Sequence, residues 1–391
     1  MLLNEARAGR LLDDAGLDGL IGATQVNVFY LTGIWTKYEN VALVARDRLT
    51  RPALAAPLHA VDFMLQALPG VGPVVTFGTF YREEGPGPLS EAEQAILRWS
   101  KERETVASQF DAVAALLVEL GLAEARVGYD EKGLEPEQEA ELAHRFPKLR
   151  LVPAFQLFRD IRMIKTPAEV DRLVGAVRVT EQAIDRAAHA AYEGMTEGEM
   201  SVIFETTQIQ LGATPNMGHV GFGHSGMLGM INRPDDRLRR GDMIRFDAGC
   251  FYRGYASDLA RTYSFGEPDE KLRRYYGASL AGEQAAIDFI RPGVTASQVF
   301  EHCIGAVRQS GIPHYKRHHV GHGIGIALAG YDRPLLGPND HTPLEPGMVM
   351  EVETPYYEYG WGGIQVEDTV LVTESGCQIL TSLSRELGVL G

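Results

Sequence analysis

The sequence predicts an α/β (α+β) chain of two domains, and three observations support that fold class. Strand and helix patterns alternate from the N-terminus to about residue 152, which is typical of helices layered on a sheet. A new helix start follows, where Thr166 and Glu169 form a capping box and Pro167 takes the first helical position. The 391 residues, 45% of them hydrophobic, are sufficient for two cores. We therefore predict an N-terminal α/β domain at 1–160 and a second, α+β domain at 161–391.

The first domain begins with a predicted amphipathic helix. Apolar side chains recur at helical spacing through Leu2–Ala15, and the pattern stops at Gly16. A strand is predicted at Gly19–Ala23, and the next segment, Asn27–Gly33, is β-branched and aromatic. Further strand and helix patterns occupy Val41–Ala45, His59–Leu68, Val74–Phe77, Glu104–Leu120, Val127–Tyr129, Glu137–Phe146 and Leu151–Val152.

One segment, Gly78–Ser90, interrupts this alternation. It is rich in glycine, proline and charged residues, and this composition predicts an exposed loop. A plain solvated loop is the favoured interpretation. The alternatives are a dimer arm or a lid over the site of a neighbouring subunit.

The second domain carries two carboxylates on a predicted hairpin. The runs Met243–Cys250 and Tyr255–Thr262 flank a turn around Gly254. Asp247 and Asp258 therefore fall nearly opposite each other. Helices are predicted nearby at Thr196–Leu211, at Glu270–Ile290 and in the segment TASQVFEHCIGAVRQSG.

A second hairpin repeats the arrangement. Glu353 leaves one strand, glycines turn the chain, and Glu367 lies at the mirror position about Gly360. His322 lies between the two hairpins, flanked by glycines that allow close approach of backbone and ligand. Four converging carboxylates repel one another unless divalent cations neutralise them. An oxygen-rich set with one imidazole suits Mn, Co or Zn, held as a pair roughly 3.5–4 Å apart.

Five motifs follow one another in a specific order: FDAG, GYASDLART, GHGIG, VETP and GGIQVEDTVLVTESG. They resemble the motifs of the pita-bread metallopeptidases, the family of methionine aminopeptidase, aminopeptidase P and prolidase, with creatinase as a metal-free relative. RMIKTPAEV and NVFYLTG also resemble segments of creatinase, aminopeptidase P and prolidase. The resemblance covers essentially the whole chain and excludes methionine aminopeptidase, which lacks the N-terminal domain. It implies a creatinase-like N-terminal α/β domain followed by a pita-bread catalytic domain.

The resemblance also implies a mechanism based on two divalent metal ions per subunit. A water that bridges the ions would be the nucleophile, and Glu353 would move a proton from it to the leaving nitrogen. His318 matches a family histidine that lines the site, although a surface loop histidine is the alternative. A homodimer is implied as well. The implied metal ligands are Asp247, Asp258, His322, Glu353 and Glu367.

Three positions depart from the prolidase and aminopeptidase P motifs. Histidines are expected at Met230 and Ala329, and an arginine is expected at Gln365. The expected histidines orient the substrate and stabilise the transition state. His219 is one possible substitute, and each candidate has an ordinary loop or surface residue as its alternative. The residues assigned to substrate binding are His224, Arg233 and Asp332.

Composition excludes several classes of partner. The net charge of -15 is unsuited to nucleic acid or an anionic membrane surface. The three cysteines are far apart and in no metal-binding spacing, which is typical of reduced thiols in a cytoplasmic protein. No apolar run reaches the roughly 18 residues of a membrane span.

The favoured function is that of an Xaa-Pro dipeptidase that cleaves the bond before proline in short peptides. One alternative is a hydrolase of a non-peptide amide or cyclic metabolite, similar to ectoine hydrolase or creatinase. Another is a binding protein that kept the fold and lost catalysis. The full ligand set disfavours that last alternative, because converging carboxylates are costly to retain without a cation.

Overall fold

The computed structural model describes residues 2–66, 71–101, 104–229 and 231–391. The chain divides into two compact units, Met1–Arg162 and Met163–Gly391. None of the described helices has the length and apolar character that crossing a bilayer requires. Each unit is built around a sheet with its own hydrophobic cluster.

The first unit is a mixed sheet with helices packed on it, as the alternating patterns predict. Its strands are β1 (Gly19–Gly22), β2 (Val41–Ala45), β3 (Ala53–Pro57), β4 (Val74–Phe77), β5 (Arg126–Tyr129) and β6 (Arg150–Pro153). They lie in the order β4-β3-β2-β1-β5-β6, and the pairs β1–β5, β3–β4 and β5–β6 are parallel. The helices are α1 (Glu5–Ala15), α2 (Gln25–Thr32), α3 (Glu91–Lys101), α4 (Gln109–Glu119), α5 (Pro136–Arg145) and α6 (Phe155–Arg162), with 3-10 turns at Arg46–Arg48 and Leu58–Gln66.

Helix α2 shows where composition misleads. Residues Asn27–Gly33 have strand-like side chains, but they form most of this helix. Thr24 caps its start by accepting a hydrogen bond from the Asn27 backbone N–H, and Gly33 ends it at a φ of 76°. The carboxylate of Asp130 anchors the same turn through the Asn27 side chain, at 2.6 Å. Because every residue from 27 to 32 is buried, no polar face marks the helical period.

Other differences concern boundaries. Helix α1 begins at Glu5 rather than at Leu2, because the Asn4 side chain caps it. The predicted run Glu104–Leu120 contracts to α4, whereas α3 and β3 had no predicted counterpart. The predicted loop Gly78–Ser90 is confirmed as irregular and mostly exposed. The last two residues of the predicted segment His59–Leu68 lie outside the described residues.

The second unit opens with the helix that the capping box predicts. The Glu169 N–H donates to the Thr166 hydroxyl at 3.3 Å, and the Glu169 carboxylate accepts from the Thr166 N–H at 2.8 Å. The helices are α7 (Pro167–His189), α8 (Glu197–Gln210), α9 (Glu270–Phe289) and α10 (Ala296–Ser310), with a 3-10 turn at Gly223–Met227.

The strands of this unit form a large, mainly antiparallel sheet and a separate two-stranded ribbon. The strands are β7 (Thr214–Phe222), β8 (Met243–Tyr252), β9 (Tyr255–Ala256), β10 (Leu259–Phe265), β11 (Gly321–Gly323), β12 (Asp332–Leu335), β13 (Val349–Glu353), β14 (Tyr356–Glu358), β15 (Gly362–Ile364), β16 (Glu367–Val372), β17 (Cys377–Ile379) and β18 (Gly388–Leu390). The main sheet runs β12-β11-β13-β16-β10-β8-β7, and β14 pairs with β15.

The two faces of the main sheet have different chemistry because side chains alternate along each strand. On β8, Ile244 and Phe246 join the cluster formed with helices α7 and α8. Arg245 and Asp247 therefore project from the opposite face. On β13, Met350 joins the cluster formed with α9 and α10, so its odd-numbered neighbours project from the polar face as well.

The buried ion pair between Arg261 and Asp368 gives a test of this architecture. The guanidinium lies 2.7 Å from the carboxylate and also donates to three backbone carbonyls of other segments. We expect Arg261→Met to lower the free energy of unfolding by about 3–5 kcal/mol, because Asp368 loses its principal partner in the interior. Urea unfolding monitors the change.

The matched control is Arg273→Met, which removes an exposed pair with Glu267. We expect a loss of about 1 kcal/mol or less there, because exposed pairs are screened by water. Equal losses in the two variants would contradict a structural role for the buried pair.

Candidate metal centre

Three of the predicted ligands, Glu353, Glu367 and Asp247, lie on the polar face of the main sheet, in a row that crosses five strands. Ala260 is the smallest residue of this row. It has only a methyl group, so the space between Glu367 on one side and Asp247 on the other stays open. The row follows the strand register through Glu353, Glu367, Ala260, Asp247 and His219.

The first hairpin places Asp258 beside this row. Arg253 and Gly254 form a two-residue turn, both with positive φ, between Tyr252 and its partner Tyr255. Asp258 directly precedes Leu259, the partner of Ala248, so it lies diagonally across from Asp247. The prediction that these two aspartates meet across a hairpin is borne out by this register.

The second hairpin matches its predicted register. Glu353 and Glu367 are direct partners, and the pairing continues to Glu358 and Gly362 around the turn at Gly360, where φ is 79°. Cβ atoms of directly opposed residues lie about 4.5–5.5 Å apart, so the two carboxylates can serve one ligand sphere.

Three of the five predicted ligands converge closely. Ligand atoms of Asp258, His322 and Glu367 all lie within 4.8 Å of one another. The His322 ring contacts the Gly323 carbonyl through Nδ1 at 3.1 Å, which leaves Nε2 facing Asp258 at 3.7 Å. A side chain on Gly321 would come within 2.0 Å of the Glu351 carbonyl, so glycine is required beside this histidine.

The other two ligands are held by donors on the protein. Asp247 Oδ2 accepts a hydrogen bond from Arg245 Nη1 at 2.9 Å. Glu353 Oε1 lies 3.0 Å from His319 Nδ1, and Glu353 Oε2 accepts from Gln365 Nε2 at 3.2 Å. One oxygen of Asp247 is therefore oriented by a cation, and both oxygens of Glu353 have fixed directions.

Burial and mutual repulsion dominate the electrostatics. Burial, followed by the charges of neighbouring carboxylates, holds the pKa of Asp258 and of Glu367 well above the ordinary range. Burial acts in the same direction on Glu353, but the His319 hydrogen bond and the Arg317 charge outweigh it and lower that pKa. Burial lowers the pKa of His322 to about 4, so the ring is neutral at pH 7.

These residues fit a divalent cation. Among the described residues, Asp258 Oδ1 is buried with no hydrogen-bond partner, and a cation would relieve the repulsion that raises the pKa of Asp258 and Glu367. Carboxylate oxygens with a neutral imidazole are ligands suited to Mn, Co and Zn. The donor chemistry and the orphaned oxygen therefore both support metal binding at this face.

The remaining predicted site residues have other surroundings. Asp332 is buried, with Oδ2 3.7 Å from Lys165 Nζ. Arg233 pairs with Asp236 at 3.1 Å and is largely exposed. His224 is exposed in the 3-10 turn Gly223–Met227, and Met230 lies outside the described residues. Substrate binding by Asp332, Arg233 and His224 stays a prediction.

The sequence singled out His318, but it missed two other residues of the site, His319 and Glu351. His318 is exposed, whereas its neighbour His319 is buried against Glu353. Glu351 is fully buried opposite His322, and burial with the charge of Asp258 holds its pKa well above the ordinary range. Period-2 alternation from Glu353 was the available signal for Glu351.

Tyr331 covers the ligand histidine. Its ring stacks on His322 with centroids 3.7 Å apart and an interplanar angle of 14°, and the residue is 55% exposed. Burial, followed by the charges of the site carboxylates, raises the pKa of its hydroxyl, which stays protonated at neutral pH. An aromatic hydroxyl therefore stands beside the carboxylates at the solvent side.

The raised pKa of Glu367 has a measurable consequence for stability. Its folded pKa lies above the unfolded value of about 4.3, so this group stabilises the folded state below that value and the contribution is lost as pH rises. In chelated protein we expect wild type to lose stability relative to Glu367→Gln as the pH rises above the unfolded pKa of about 4.3. Urea midpoints across this rise in pH give the difference, and parallel curves would contradict it.

Comparison with known proteins agrees with this geometry. The model of metallopeptidase family M24 matches residues 171–374. The Xaa-Pro dipeptidase of Pyrococcus furiosus is 31% identical over 261 residues, which are 65% of this chain and 74% of that protein.

Two solved structures extend the similarity to both units. An Xaa-Pro dipeptidase from Bacillus anthracis matches with a TM-score of 0.80 and 25% identity over 99% of each chain. An X-Pro aminopeptidase from Thermotoga maritima matches with a TM-score of 0.79 and 21% identity, again over 99% of each chain. The expected pita-bread fold with an N-terminal α/β domain is thereby confirmed.

Proposed function

The chain belongs to metallopeptidase family M24 and is a metal-dependent hydrolase, and from this premise we propose that it is an Xaa-Pro dipeptidase. It would cleave the bond before proline in short peptides. The observation that carries the proposal is the close approach of Asp258, His322 and Glu367 on one sheet face, with Glu353 in direct register with Glu367. The similarity to proteins named Xaa-Pro dipeptidase supports the substrate class.

The proposal assigns distinct roles to the side chains. When bound, divalent ions would supply an activated water and polarise the scissile carbonyl. Glu353 is the proposed proton carrier, because its lowered pKa leaves it ionised at neutral pH and its two oxygens have fixed directions. His319 supports this role by holding Glu353 Oε1, and His318 at the exposed rim is available to contact substrate. The proposed metal ligands are Asp247, Asp258, His322, Glu353 and Glu367.

Tyr331 is proposed to orient the substrate in place of the histidine that is absent at Ala329. Its hydroxyl is a protonated donor beside the carboxylates, and its half-exposed ring can meet an incoming ligand. A donor at this position can stabilise charge that develops on the attacked carbonyl.

We expect Tyr331→Phe to lower kcat/KM for an Xaa-Pro dipeptide by about 10²-fold, because it removes the donor and keeps the ring stacked on His322. Metal affinity measured by calorimetry should not change. The control, Tyr359→Phe, alters a residue that is 89% exposed and should have no effect. An unchanged kcat/KM in Tyr331→Phe would limit Tyr331 to covering the ligand histidine.

The proposal extends to metal, assembly and location. The oxygen-rich ligand set supports two divalent ions per subunit, with Mn, Co or Zn as candidates. The resemblance to prolidase supports a homodimer. Free Cys250, Cys303 and Cys377 support a reducing, cytoplasmic location.

Metal add-back to chelated protein tests the function directly. We expect Mn, Co or Zn to restore rapid cleavage of Xaa-Pro dipeptides, with Xaa-Pro-Yaa tripeptides as the comparison substrates. Glu353→Gln at equal metal loading should lower kcat by about 10²–10⁴-fold, because the proton carrier is gone. Binding of about two ions per chain without cleavage of either peptide would overturn the assignment.

One observation favours a second candidate, the hydrolysis of a non-peptide amide or cyclic metabolite. Ala329 stands where prolidases carry a substrate-contacting histidine, so the surroundings of the metal differ from theirs. Turnover of small cyclic amides by the metal-loaded protein, with both peptides left intact, would select this candidate. Metal binding with no turnover of any small amide would favour a binding role.

A further inference from the structure

Arg245 is a fully buried cation on the metal-binding face that the proposed chemistry does not use. Its Nε donates to the Gly226 carbonyl at 2.7 Å, and Nη2 donates to the Leu228 carbonyl at 2.6 Å. Its Nη1 donates to both Asp247 Oδ2 at 2.9 Å and Gln365 Oε1 at 2.8 Å. Four of the five guanidinium N–H groups are thus engaged, which fixes the orientation of the cation.

Gln365 is the second member of the same arrangement. Its Oε1 accepts from Arg245 and lies 3.3 Å from the Tyr357 hydroxyl. Its Nε2 donates to Glu353 Oε2 and to Glu367 Oε2, each at 3.2 Å. The amide therefore turns its oxygen to the cation and its nitrogen to the two anions, which is the orientation that its neighbours require.

The strand register explains why these two residues meet. Arg245 on β8 pairs with Thr262 on β10. The Thr262 hydroxyl in turn exchanges two hydrogen bonds with the Gln365 backbone, at 2.9 and 3.0 Å. Arg245, Thr262 and Gln365 thus form a row beside the row of metal ligands. Gly221 is the other partner of Arg245 and has no side chain to obstruct it.

We propose that Arg245 and Gln365 act as one positioning pair, in which a cation delivered from β8 orients three ligand carboxylates. Arg245 holds Asp247 directly, and Gln365 transmits the orientation to Glu353 and Glu367. Gln365 stands where the prolidase motif usually has an arginine, so the chain carries its cation on the neighbouring row instead. This inference rests on the proposed metal-dependent function and specifies how its ligands are held.

The electrostatics explain why the two departures belong together. An arginine at position 365 beside Arg245 would place two like charges in contact and would make both guanidinium groups and the metal ions compete for the same carboxylates. A glutamine at position 365 without Arg245 would leave Asp247 without its cation and Gln365 Oε1 without its strongest donor. Glutamine at position 365 therefore favours ligand orientation only together with arginine at position 245, and the reverse also holds.

A charge-swap cycle tests the pair through three variants: Arg245→Met, Gln365→Arg and the double variant R245M/Q365R. Mn²⁺ affinity is measured by calorimetry on chelated protein. We expect each single variant to bind Mn²⁺ 10–100-fold more weakly, the usual effect of losing a group that orients metal ligands. The double variant should recover to within about 3-fold of wild type, because the cation is supplied again from position 365.

The decisive result is a change of sign. R245M should weaken Mn²⁺ binding in the wild-type background and strengthen it in the Q365R background. If R245M alone fails to fold, the comparison of Q365R with the double variant still decides, because a structural role for Arg245 predicts a further loss there. Additive losses in the double variant, or unchanged affinity in R245M, would overturn the pair.

Peptide assays on the same variants separate this inference from the proposed function. Mn²⁺ calorimetry needs no substrate, so affinity recovery in the swap supports the pair even where no variant cleaves an Xaa-Pro dipeptide. An active wild-type enzyme with additive losses in the cycle overturns the pair and leaves the proposed function intact.

Discussion

Buried carboxylates on one sheet face constrain this part of the chain. The four carboxylates proposed as ligands and Glu351 are largely withdrawn from water, and burial with mutual repulsion raises the pKa of most of them. A cluster of this kind persists only where cations or donors offset the repulsion. Arg245, Arg317 and His319 supply part of this compensation from the protein itself. The remaining deficit, centred on Asp258 and Glu367, is the chemical basis for binding divalent ions there.

The strands satisfy this constraint through alternation. Strands β8 and β13 present apolar side chains to a helical layer and charged side chains to the opposite face, so each of them serves the core and the site together. Close approach depends on particular small residues: Ala260 leaves space between two carboxylates, and Gly321 allows the strand of His322 to lie against β13. The geometry of the site is thus inseparable from the packing that stabilises the unit.

Local signals with a clear physical cause were predictable from sequence. The helix start at Thr166 follows from side chains that satisfy free N–H groups, and the register of Glu353 with Glu367 follows from symmetry about Gly360. Helix α2 was not predictable in this way, because a helix buried on every side has no polar stripe to reveal its period.

Contacts between residues on distant strands could not be predicted from the sequence, because they depend on the strand order and register of the sheet. Period 2 places Arg245 on the face of Asp247, but its contact with Gln365 depends on β10 lying between their strands. The position of His219 opposite Asp247 depends likewise on the register of β7 with β8. His319, rather than His318, contacts Glu353 because of the local backbone path into β11, which no motif specifies.

The residues that depart from the family motif are not the proposed ligands but residues expected to surround them. All five residues proposed as ligands match the family motifs, whereas Gln365, Ala329 and Met230 replace groups expected to surround them. At Gln365 the replacement for the missing arginine is Arg245. Its Nη1 donates to Gln365 Oε1 at 2.8 Å and to Asp247 Oδ2 at 2.9 Å. Because Arg245 contacts Gln365, the positive charge that the motif usually carries at position 365 is still present beside the proposed ligands. At Ala329 the group proposed as the replacement, the Tyr331 hydroxyl, differs in chemistry from histidine, because it is a neutral donor that cannot carry a positive charge. On the proposed assignment, the positive charge beside the ligands is therefore retained and the substrate-contacting group is altered, which locates any change in specificity at the solvent side of His322.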